Sequence, residues 1–241
     1  LISREKKLNK AVLMVGGLGT RLQPLTENIP KPMLKVGNKP ILETIVEKLA
    51  EFGYTNIVMC VNYKSDVIKK YFGDGAEFGV SIEYVLEEER MGTAGALSLL
   101  KEKITEQFFV MNGDLLTNVN FEHLHNFHVS NNSMGTMCVR DYDFQVPFGV
   151  VDIANTKILS ITEKPLHKFF VNAGIYMFNP EVLDFIPQNK FYDMPSLFKK
   201  LISVGKNINS FPLREYWLDV GRIEEYEKAN KDFHTDFNVP K

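Results

Sequence analysis

Short apolar runs alternate with amphipathic segments through the first half of the chain. Residues 11–15, 56–61 and 108–112 form such runs, each typical of a buried strand, and residues 81–86 are also strand-like. The segments between them include 41–52, whose apolar residues recur at the 3.6-residue period of a helix, and 93–101, which is predicted to form a short helix. Strands that alternate with helices predict a parallel sheet whose two faces are covered by helices.

The pattern changes in the second half, where predicted strands follow one another with short connections. They span residues 134–140, 148–153, 157–162 and 170–178, and helical periodicity returns at 194–204 and 223–237. Connections this short suit antiparallel neighbours rather than crossovers. We therefore predict an α/β fold with a Rossmann-like, mixed but mostly parallel sheet flanked by helices, and short antiparallel additions in the second half. The predicted organisation is an N-terminal extension, 1–9, followed by one domain, 10–241.

Composition excludes several classes of protein. The chain has 241 residues, of which 44% are hydrophobic and 24% charged, values typical of globular proteins. A net charge of −2 gives no basic excess for holding nucleic acid by its phosphates. No apolar stretch reaches the roughly 18 residues that cross a membrane, so we expect no membrane partner. Cys60 and Cys138 lie in apolar runs, which indicates buried, reduced thiols in a cytoplasmic protein.

A glycine-rich loop follows the first predicted strand. Gly16, Gly17 and Gly19 precede Thr20 and Arg21. Glycines allow backbone N–H groups to turn toward an anion, and a loop after a strand cradles phosphates in many α/β sheets. The spacing matches neither of the two common phosphate-binding glycine motifs, so a tight turn that merely needs glycine remains an alternative.

Lys31 lies between two prolines. Pro30 and Pro32 fix the backbone on both sides, and Pro32 restricts Lys31 toward an extended conformation. A lysine held so rigidly is unusual for a solvated surface charge. Together with Arg21 it could contact a triphosphate, the arginine by bidentate hydrogen bonds and the lysine as a point charge.

Three ordered segments then identify a family. They are Gly16-Gly17-x-Gly19-Thr20-Arg21-Leu22-x-Pro24-Leu25-Thr26, Pro30-Lys31-Pro32-Met33-Leu34 and Lys39-Pro40-Ile41-Leu42-Glu43. This combination resembles the sugar-1-phosphate nucleotidyltransferases, the pyrophosphorylases that make nucleotide sugars, and the resemblance continues to residue 221. It implies an enzyme that takes a nucleoside triphosphate and a sugar 1-phosphate and releases pyrophosphate. Catalytic roles would fall to Arg21, Lys31, Asp114 and Asp219.

Two aspartates are candidates for holding a metal. Asp114 follows the fourth predicted strand, where open α/β sheets bind ligands, although an aspartate there also commonly caps a turn. Asp219 lies between Trp217 and Gly221, and its carboxylate needs a partner or a cation among apolar neighbours. The resemblance implies that both carboxylates bind Mg²⁺, which suits an ion that takes one or two carboxylates plus substrate phosphates.

The sugar end is assigned through the resemblance. Lys164 would bind the sugar phosphate, Glu163 and Asn172 would hydrogen-bond hydroxyls, and Gly149 and Gly174 would contact the sugar through their backbones. From the residues alone, the Glu163-Lys164 pair is equally well a solvated charge pair before a turn.

The nucleotide end comprises the glycine loop (Gly16, Gly17, Gly19, Thr20) together with Glu87, Gly92 and Thr93. The Gly92-Thr93-Ala94-Gly95 form is similar to mannose- and heptose-type guanylyltransferases and also to a uridylyltransferase group. We therefore expect GTP to be favoured. Uridylyl or thymidylyl transfer, and a catalytically inactive nucleotide-sugar-binding regulatory subunit, are the alternatives.

Two further expectations concern assembly. Many members of this family carry a C-terminal β-helix, and similar modules occur downstream of paired CBS domains. Neither is found in this sequence. By similarity with the CBS-linked modules, one expectation is that regulatory domains absent from this chain lie upstream of it. A homodimer is another.

Overall fold

The computed structural model describes residues 6–237. Its thirteen strands, in chain order, are β1 (Lys10–Met14), β2 (Lys35–Val36), β3 (Lys39–Pro40), β4 (Asn56–Val61), β5 (Ser81–Leu86), β6 (Phe108–Asn112), β7 (Leu115–Thr117), β8 (Gly135–Gln145), β9 (Val150–Ala154), β10 (Lys157–Thr162), β11 (Leu166–Phe178), β12 (Ile208–Pro212) and β13 (Trp217–Asp219). The α-helices are α1 (Ile41–Glu51), α2 (Ser65–Phe72), α3 (Gly92–Gly95), α4 (Phe121–Ser130), α5 (Met194–Ser203) and α6 (Ile223–Asp232).

Seven strands form the central sheet, in the order β12-β8-β11-β6-β1-β4-β5. The four strands β6, β1, β4 and β5 run parallel, whereas β11 is antiparallel to both β6 and β8. Alternate residues of β1 enter two different core clusters, Leu13 on one face and Val12 on the other. The sheet is therefore buried on both faces, which explains the continuous apolar runs, and the predicted fold class is confirmed.

The register brings three strand ends together. Met14 of β1 lies opposite Asn112 of β6 on one side and Cys60 of β4 on the other. Because these strands are parallel, the loops that follow them leave the sheet at the same edge. The glycine loop after β1 and Asp114 after β6 are thus neighbours in space.

Most predicted elements are present, with two differences in extent. The helix expected over 93–101 is instead α3 followed by a 3₁₀ turn, Ala96–Leu100. The two long strands β8 and β11 begin or end several residues beyond the predicted 134–140 and 170–178.

Both cysteine thiols are free and buried, as predicted, and burial raises the pKa of each. Within residues 6–237, no helix combines the length and apolar character needed to cross a membrane. The boundary between an extension, 1–9, and a domain, 10–241, stays a prediction, and its residues 1–5 and 238–241 lie outside the described part of the chain.

Phe109 tests the packing of the sheet. Its ring is 1% exposed and meets Tyr54 edge-on at 4.7 Å and Phe121 at 5.4 Å between ring centroids. Phe109→Ala should lower the free energy of unfolding by about 3–5 kcal/mol, since it removes buried contacts and leaves a cavity. Urea denaturation measures this loss. The exposed Phe191 is the control, and its alanine variant should change stability by less than about 0.5 kcal/mol. A small effect at Phe109 would contradict the packing described.

Candidate active site

A cleft of about 300 Å³ opens at the carboxyl edge of the sheet. Eight of the residues predicted from the sequence line it: Gly16, Gly17, Arg21, Glu87, Gly92, Thr93, Asp114 and Asp219. Met14, Arg90 and Asn112 also line it and were not among the predicted site residues. The structure therefore brings most of the predicted nucleotide and metal residues to one place.

A short antiparallel ribbon brings the two aspartates together. In β7 and β13, Asp219 is paired with Leu115, the residue after Asp114, and the Val220 N–H donates to the Asp114 carbonyl at 3.1 Å. The Trp217 indole N–H donates to the Ala173 carbonyl at 2.8 Å and so fixes the ribbon to β11. Two carboxylates far apart in sequence thus lie side by side.

Lys31 inserts its ammonium between these carboxylates. The residue is 8% exposed; its Nζ forms an ion pair with Asp114 Oδ2 and lies 3.7 Å from Asp219 Oδ1. The expectation of an extended backbone at Lys31 is wrong, because Lys31 begins a 3₁₀ turn in which the Met33 N–H donates to the Pro30 carbonyl at 2.8 Å. The turn directs the lysine inward, where the carboxylates compensate its burial.

The cluster of Lys31, Asp114 and Asp219 contains two acidic side chains and one basic side chain. Asp114 Oδ1 and Asp219 Oδ1 are buried without a hydrogen-bond donor. Burial, and then the charge of Asp114, raise the pKa of Asp219, while Lys31 and Arg21 act in the opposite direction. Buried carboxylate oxygens without donors fit a hard cation such as Mg²⁺. No group of three or more His, Cys, Asp or Glu side chains suited to a metal occurs among the described residues, so a cation here would need ligands from a substrate or water.

Arg21 and Glu225 lie beside this cluster, next to Gly221. A methyl group on Gly221 would lie 3.5 Å from Asp219 Oδ1, 3.8 Å from Glu225 Oε2 and 3.9 Å from Arg21 Nη2. Glu225 Oε2 is buried without a hydrogen-bond partner. Sequence reasoning missed Glu225, because nothing in the first turn of α6 distinguishes it from a solvated glutamate.

The glycines of the loop after β1 have distinct roles. A methyl group on Gly16 would lie 2.9 Å from Glu87 Oε1, so only glycine allows this close approach. Gly19 adopts φ 66° and accepts a hydrogen bond from Thr26 Oγ1 at 2.8 Å. Thr20 begins the 3₁₀ turn that carries Arg21. Gly19 and Thr20 therefore shape the loop, whereas Gly16 and Gly17 face the cleft.

Contacts with neighbouring segments hold the predicted base-binding residues in place. Glu87 is 6% exposed, its Oε2 accepts from the Met91 N–H at 3.2 Å, and burial raises its pKa. Gly92 has φ 76°, and a methyl group on it would lie 2.6 Å from the Tyr192 carbonyl oxygen. Thr93 Oγ1 accepts from the Met194 N–H at 2.9 Å. Gly92 and Thr93 thus also dock α3 onto the start of α5.

The predicted sugar residues fall into two groups. Gly149, Glu163 and Lys164 are exposed and are not among the residues that line the cleft. A methyl group on Gly149 would lie 3.0 Å from Glu163 Oε2, so these two residues are in contact. Lys164 has φ 45°, and its carbonyl accepts from Gln145 Nε2 at 3.3 Å.

Asn172 and Gly174 form the second group and reach the cleft through Asn112. The Asn172 side chain donates to Tyr176 Oη at 2.7 Å and accepts from the Gly174 N–H at 2.9 Å. Gly174 has φ 71°, and a methyl group there would lie 2.7 Å from Asn112 Nδ2. Glycine is required at position 174 because φ is positive there and because a side chain would clash with Asn112.

The doubly wound sheet, the glycine loop and the lysine between two carboxylates define an α/β protein with a charged cleft at the carboxyl edge of its sheet. The family model described as "Nucleotidyl transferase" matches residues 10–236. The chain belongs to that family, as the sequence resemblance predicted.

Curated relatives include two enzymes named mannose-1-phosphate guanyltransferase. The one from Kluyveromyces lactis is 38% identical over 229 residues, which are 90% of this chain and 62% of that protein. The one from Saccharomyces cerevisiae is 38% identical over 231 residues, with the same coverage of 90% and 62%. The chain therefore spans about 62% of the length of these relatives.

Two solved structures share the fold over nearly all of their length. A putative glucose-1-phosphate thymidylyltransferase from Bacillus anthracis has a TM-score of 0.76 and 25% identity, covering 96% of this chain and 97% of its own. HddC from Yersinia pseudotuberculosis has a TM-score of 0.74 and 27% identity, covering 94% and 100%. A structure of HddC in complex with GMP-PN also matches, with a TM-score of 0.74.

Asp219 provides a test of the charge balance. Since the pKa of Asp219 is raised in the folded protein, ionisation of this carboxyl opposes folding; the penalty grows as the pH rises from the ordinary pKa of an aspartate to the raised pKa and is constant above it. Asp219→Asn should therefore raise the melting temperature at neutral pH in EDTA, and we expect Mg²⁺ to stabilise the unmodified protein but not the variant. Differential scanning calorimetry at neutral pH, with and without Mg²⁺, measures both effects.

The control is Asp184→Asn at an exposed carboxylate paired with Lys101, which should leave the Mg²⁺ response unchanged. A lower melting temperature for Asp219→Asn in EDTA, or an intact Mg²⁺ response, would contradict the assigned electrostatics.

Proposed function

We propose that this chain transfers a nucleoside monophosphate from a nucleoside triphosphate, with GTP favoured, to a sugar 1-phosphate. The products are a nucleoside diphosphate sugar and pyrophosphate. The observation that carries the proposal is the buried Lys31 between Asp114 and Asp219, beside the Gly16–Gly17 loop. The names of the curated relatives make mannose 1-phosphate the first sugar substrate to test.

The reaction is an in-line displacement at the α-phosphorus of the nucleotide. A phosphate oxygen of the sugar 1-phosphate forms the new P–O bond. The bond from the α-phosphorus to the bridging oxygen breaks, and its electron pair leaves with pyrophosphate. The protein contributes positioning and charge stabilisation rather than covalent chemistry.

Different residues of the chain would contribute the positioning and the charge stabilisation. Gly16, Gly17 and Arg21 line the cleft. The N–H groups of the two glycines would contact a phosphate, and the Arg21 guanidinium is suited to bidentate contacts with it. Lys31 offsets charge that develops on the phosphoryl oxygens, and its carboxylate partners hold it in place without rearrangement.

Asp114 and Asp219 are the residues that would hold Mg²⁺. Each has a buried oxygen without a hydrogen-bond donor, and oxygen ligands suit this ion. When bound, Mg²⁺ would neutralise phosphate charge and help to align the nucleotide.

The sugar 1-phosphate would bind outside the cleft that the nucleotide residues line, toward the segments that carry Gly149, Glu163 and Asn172. We assign its phosphate to Lys164, its hydroxyls to Glu163 and Asn172, and its backbone contacts to Gly149 and Gly174. Contact between Gly149 and Glu163 supports a shared role for the two segments that carry them.

The nucleobase would lie near Glu87, Gly92 and Thr93. Guanine presents two donors, N1–H and the exocyclic amine, and the buried Glu87 carboxylate provides acceptor oxygens at the cleft. An acceptor left unpaired by a pyrimidine would give strong discrimination. The complex of HddC with GMP-PN also supports guanine, whereas the thymidylyltransferase neighbour keeps dTTP as the alternative.

A catalytically inactive regulatory subunit is the other alternative. The charged side chains that the reaction needs are all present, namely Arg21, Lys31, Asp114, Lys164 and Asp219. Their geometry gives no reason for inactivity. The reduced, buried thiols and the nucleotide substrate are consistent with a cytoplasmic location, which we also propose.

A substrate matrix tests the function directly. GTP, UTP, dTTP and CTP are each combined with a panel of hexose 1-phosphates and Mg²⁺, and the product is identified by mass. The expected main product is a GDP-sugar, with mannose 1-phosphate as the best acceptor. A UDP- or dTDP-sugar would contradict the base assignment alone. Failure of every pair to release pyrophosphate would contradict the reaction.

Three alanine variants test the nucleotide and sugar-phosphate assignments separately. Arg21→Ala and Lys31→Ala should lower kcat by about 10²–10³-fold, since they remove charges that act during transfer. Lys164→Ala should mainly raise KM for the sugar 1-phosphate, because its proposed partner is the sugar's phosphate. Steady-state kinetics with each substrate varied provides both parameters.

Lys168→Ala is the matched control, since this lysine is also exposed and lies on β11, four residues after Lys164. It should leave both parameters near their original values. An unchanged KM in Lys164→Ala, or an unchanged kcat in Arg21→Ala or Lys31→Ala, would show that the corresponding assignment is wrong.

A further inference from the structure

Arg90 is a charged side chain of the cleft that has no role in the reaction described above. It lies in the loop 87–91, which joins β5 to α3. Three consecutive charged residues of this loop, Glu88, Glu89 and Arg90, are exposed, but of these only Arg90 lines the cleft. Among the described residues, its guanidinium forms no hydrogen bond or ion pair, so its donors are free to bind a ligand.

Both ends of this loop are held by hydrogen bonds. At its start, Asn62 Nδ2 donates to the Glu87 carbonyl at 2.6 Å. At its end, the Tyr192 N–H donates to the Met91 carbonyl at 2.9 Å. The Glu87 carboxylate also closes the loop on itself, since it accepts from the Met91 N–H at 3.2 Å. The backbone that carries Arg90 is therefore fixed before any ligand binds, which reduces the entropy lost on binding.

The two arginines of the cleft lie beside different carboxylates. Burial raises the pKa of Asp219, and the charge of Arg21 is among those that oppose this effect. Burial also raises the pKa of Glu87, and there the opposing charge is that of Arg90. Arg90 is thus the cation next to the carboxylate assigned to the nucleobase, whereas Arg21 is next to a carboxylate assigned to the metal.

Guanine has acceptors that Glu87 cannot satisfy. A carboxylate accepts from the N1–H and the exocyclic amine, but O6 and N7 on the neighbouring edge need donors. A guanidinium presents N–H donors in a fixed fork, and an arginine that donates to both O6 and N7 is the commonest specific contact with guanine in DNA recognition. Adenine and cytosine place an amine where guanine has O6, and uracil and thymine offer one acceptor there and no N7. The fork therefore matches guanine alone.

We propose that Arg90 is a specificity-determining residue that donates hydrogen bonds to O6 and N7 of guanine, while Glu87 accepts from N1–H and the amine. This inference rests on the proposed function and deepens its assignment of the nucleobase. It places base selection on two side chains three positions apart in one anchored loop. A pyrimidine would leave the donors of Arg90 and the acceptors of Glu87 unpaired, which costs binding energy at both residues.

Modified nucleotides test the contact at the level of single atoms. Isothermal titration calorimetry of the full chain with Mg²⁺, and without sugar 1-phosphate, compares GTP with 7-deaza-GTP, which lacks the N7 acceptor. The unmodified protein should bind GTP at least about fivefold more tightly than 7-deaza-GTP. Arg90→Ala should bind GTP at least about tenfold more weakly than the unmodified protein, as expected for loss of a bidentate contact. In this variant the difference between the two nucleotides should fall below about twofold, because the partner of N7 is gone.

Three controls separate this contact from a general effect of charge. Arg214→Ala removes the same charge at an exposed arginine that does not line the cleft, and it should leave every affinity within about twofold of the original. Arg90→Lys keeps the charge without the fork, so it should respond to the loss of N7 as Arg90→Ala does. Inosine triphosphate lacks the amine that would face Glu87, and it should bind more weakly than GTP by the same factor with and without Arg90.

Three results would overturn the proposal. One is an unmodified protein that binds 7-deaza-GTP as tightly as GTP, and another is an undiminished difference between them in Arg90→Ala. The third is equal weakening of GTP and UTP by Arg90→Ala with recovery in Arg90→Lys, which would identify a phosphate contact. Because these measurements involve no turnover, they are independent of the substrate matrix. A GDP-sugar product together with any of the three results would refute only the role of Arg90, whereas a UDP-sugar product would remove the guanine assignment on which that role rests.

Discussion

One buried ammonium between two carboxylates sets the arrangement of the whole site. The three residues come from separate parts of the chain. A 3₁₀ turn positions Lys31, the end of a parallel strand positions Asp114, and the three-residue strand β13 positions Asp219. Burying the lysine alone would be costly, and burying the carboxylates alone would be worse, so the three positions are mutually dependent. The remaining negative charge opposes folding and at the same time makes the cleft attractive to a cation and its phosphates.

β11 connects this site to the surface. Its inner half, ending at Phe178, is buried in the central sheet, and its outer half, beginning at Leu166, is exposed. The pairing register with β8 shifts between these halves, at Asn172 and Tyr176, where Gly174 adopts a left-handed conformation beside Asn112. The strand is thus a continuous link from the cleft to the proposed sugar residues.

Sequence alone predicted the parts of this structure that depend on local signals. β4, β5 and β6 were predicted at their observed bounds. β4 and β6 lie inside the sheet and are nearly continuous apolar runs, whereas β5 is an edge strand with apolar residues at only some positions. The β7–β13 ribbon could not be predicted, since strands of three residues carry no periodicity and their pairing joins distant segments. Glu225 was missed because nothing in the first turn of α6 distinguishes it from a solvated glutamate. The 3₁₀ turn at Lys31 overrode the preference of a residue before proline. Most of the cleft residues were found because the motifs that carry them are contiguous.

Above all, we propose that the Asp114 carboxylate is required for the chemistry and that the fold tolerates its neutralisation. The most direct measurement is the rate of pyrophosphate release by Asp114→Asn at saturating Mg²⁺, GTP and mannose 1-phosphate, with the thermal transition recorded on the same sample. Asparagine keeps the shape and removes the charge, so we expect a loss of about 10²-fold or more in rate, as for other charge-stabilising groups, with a cooperative transition retained. A rate near that of the unmodified protein, or loss of the thermal transition together with activity, would contradict it.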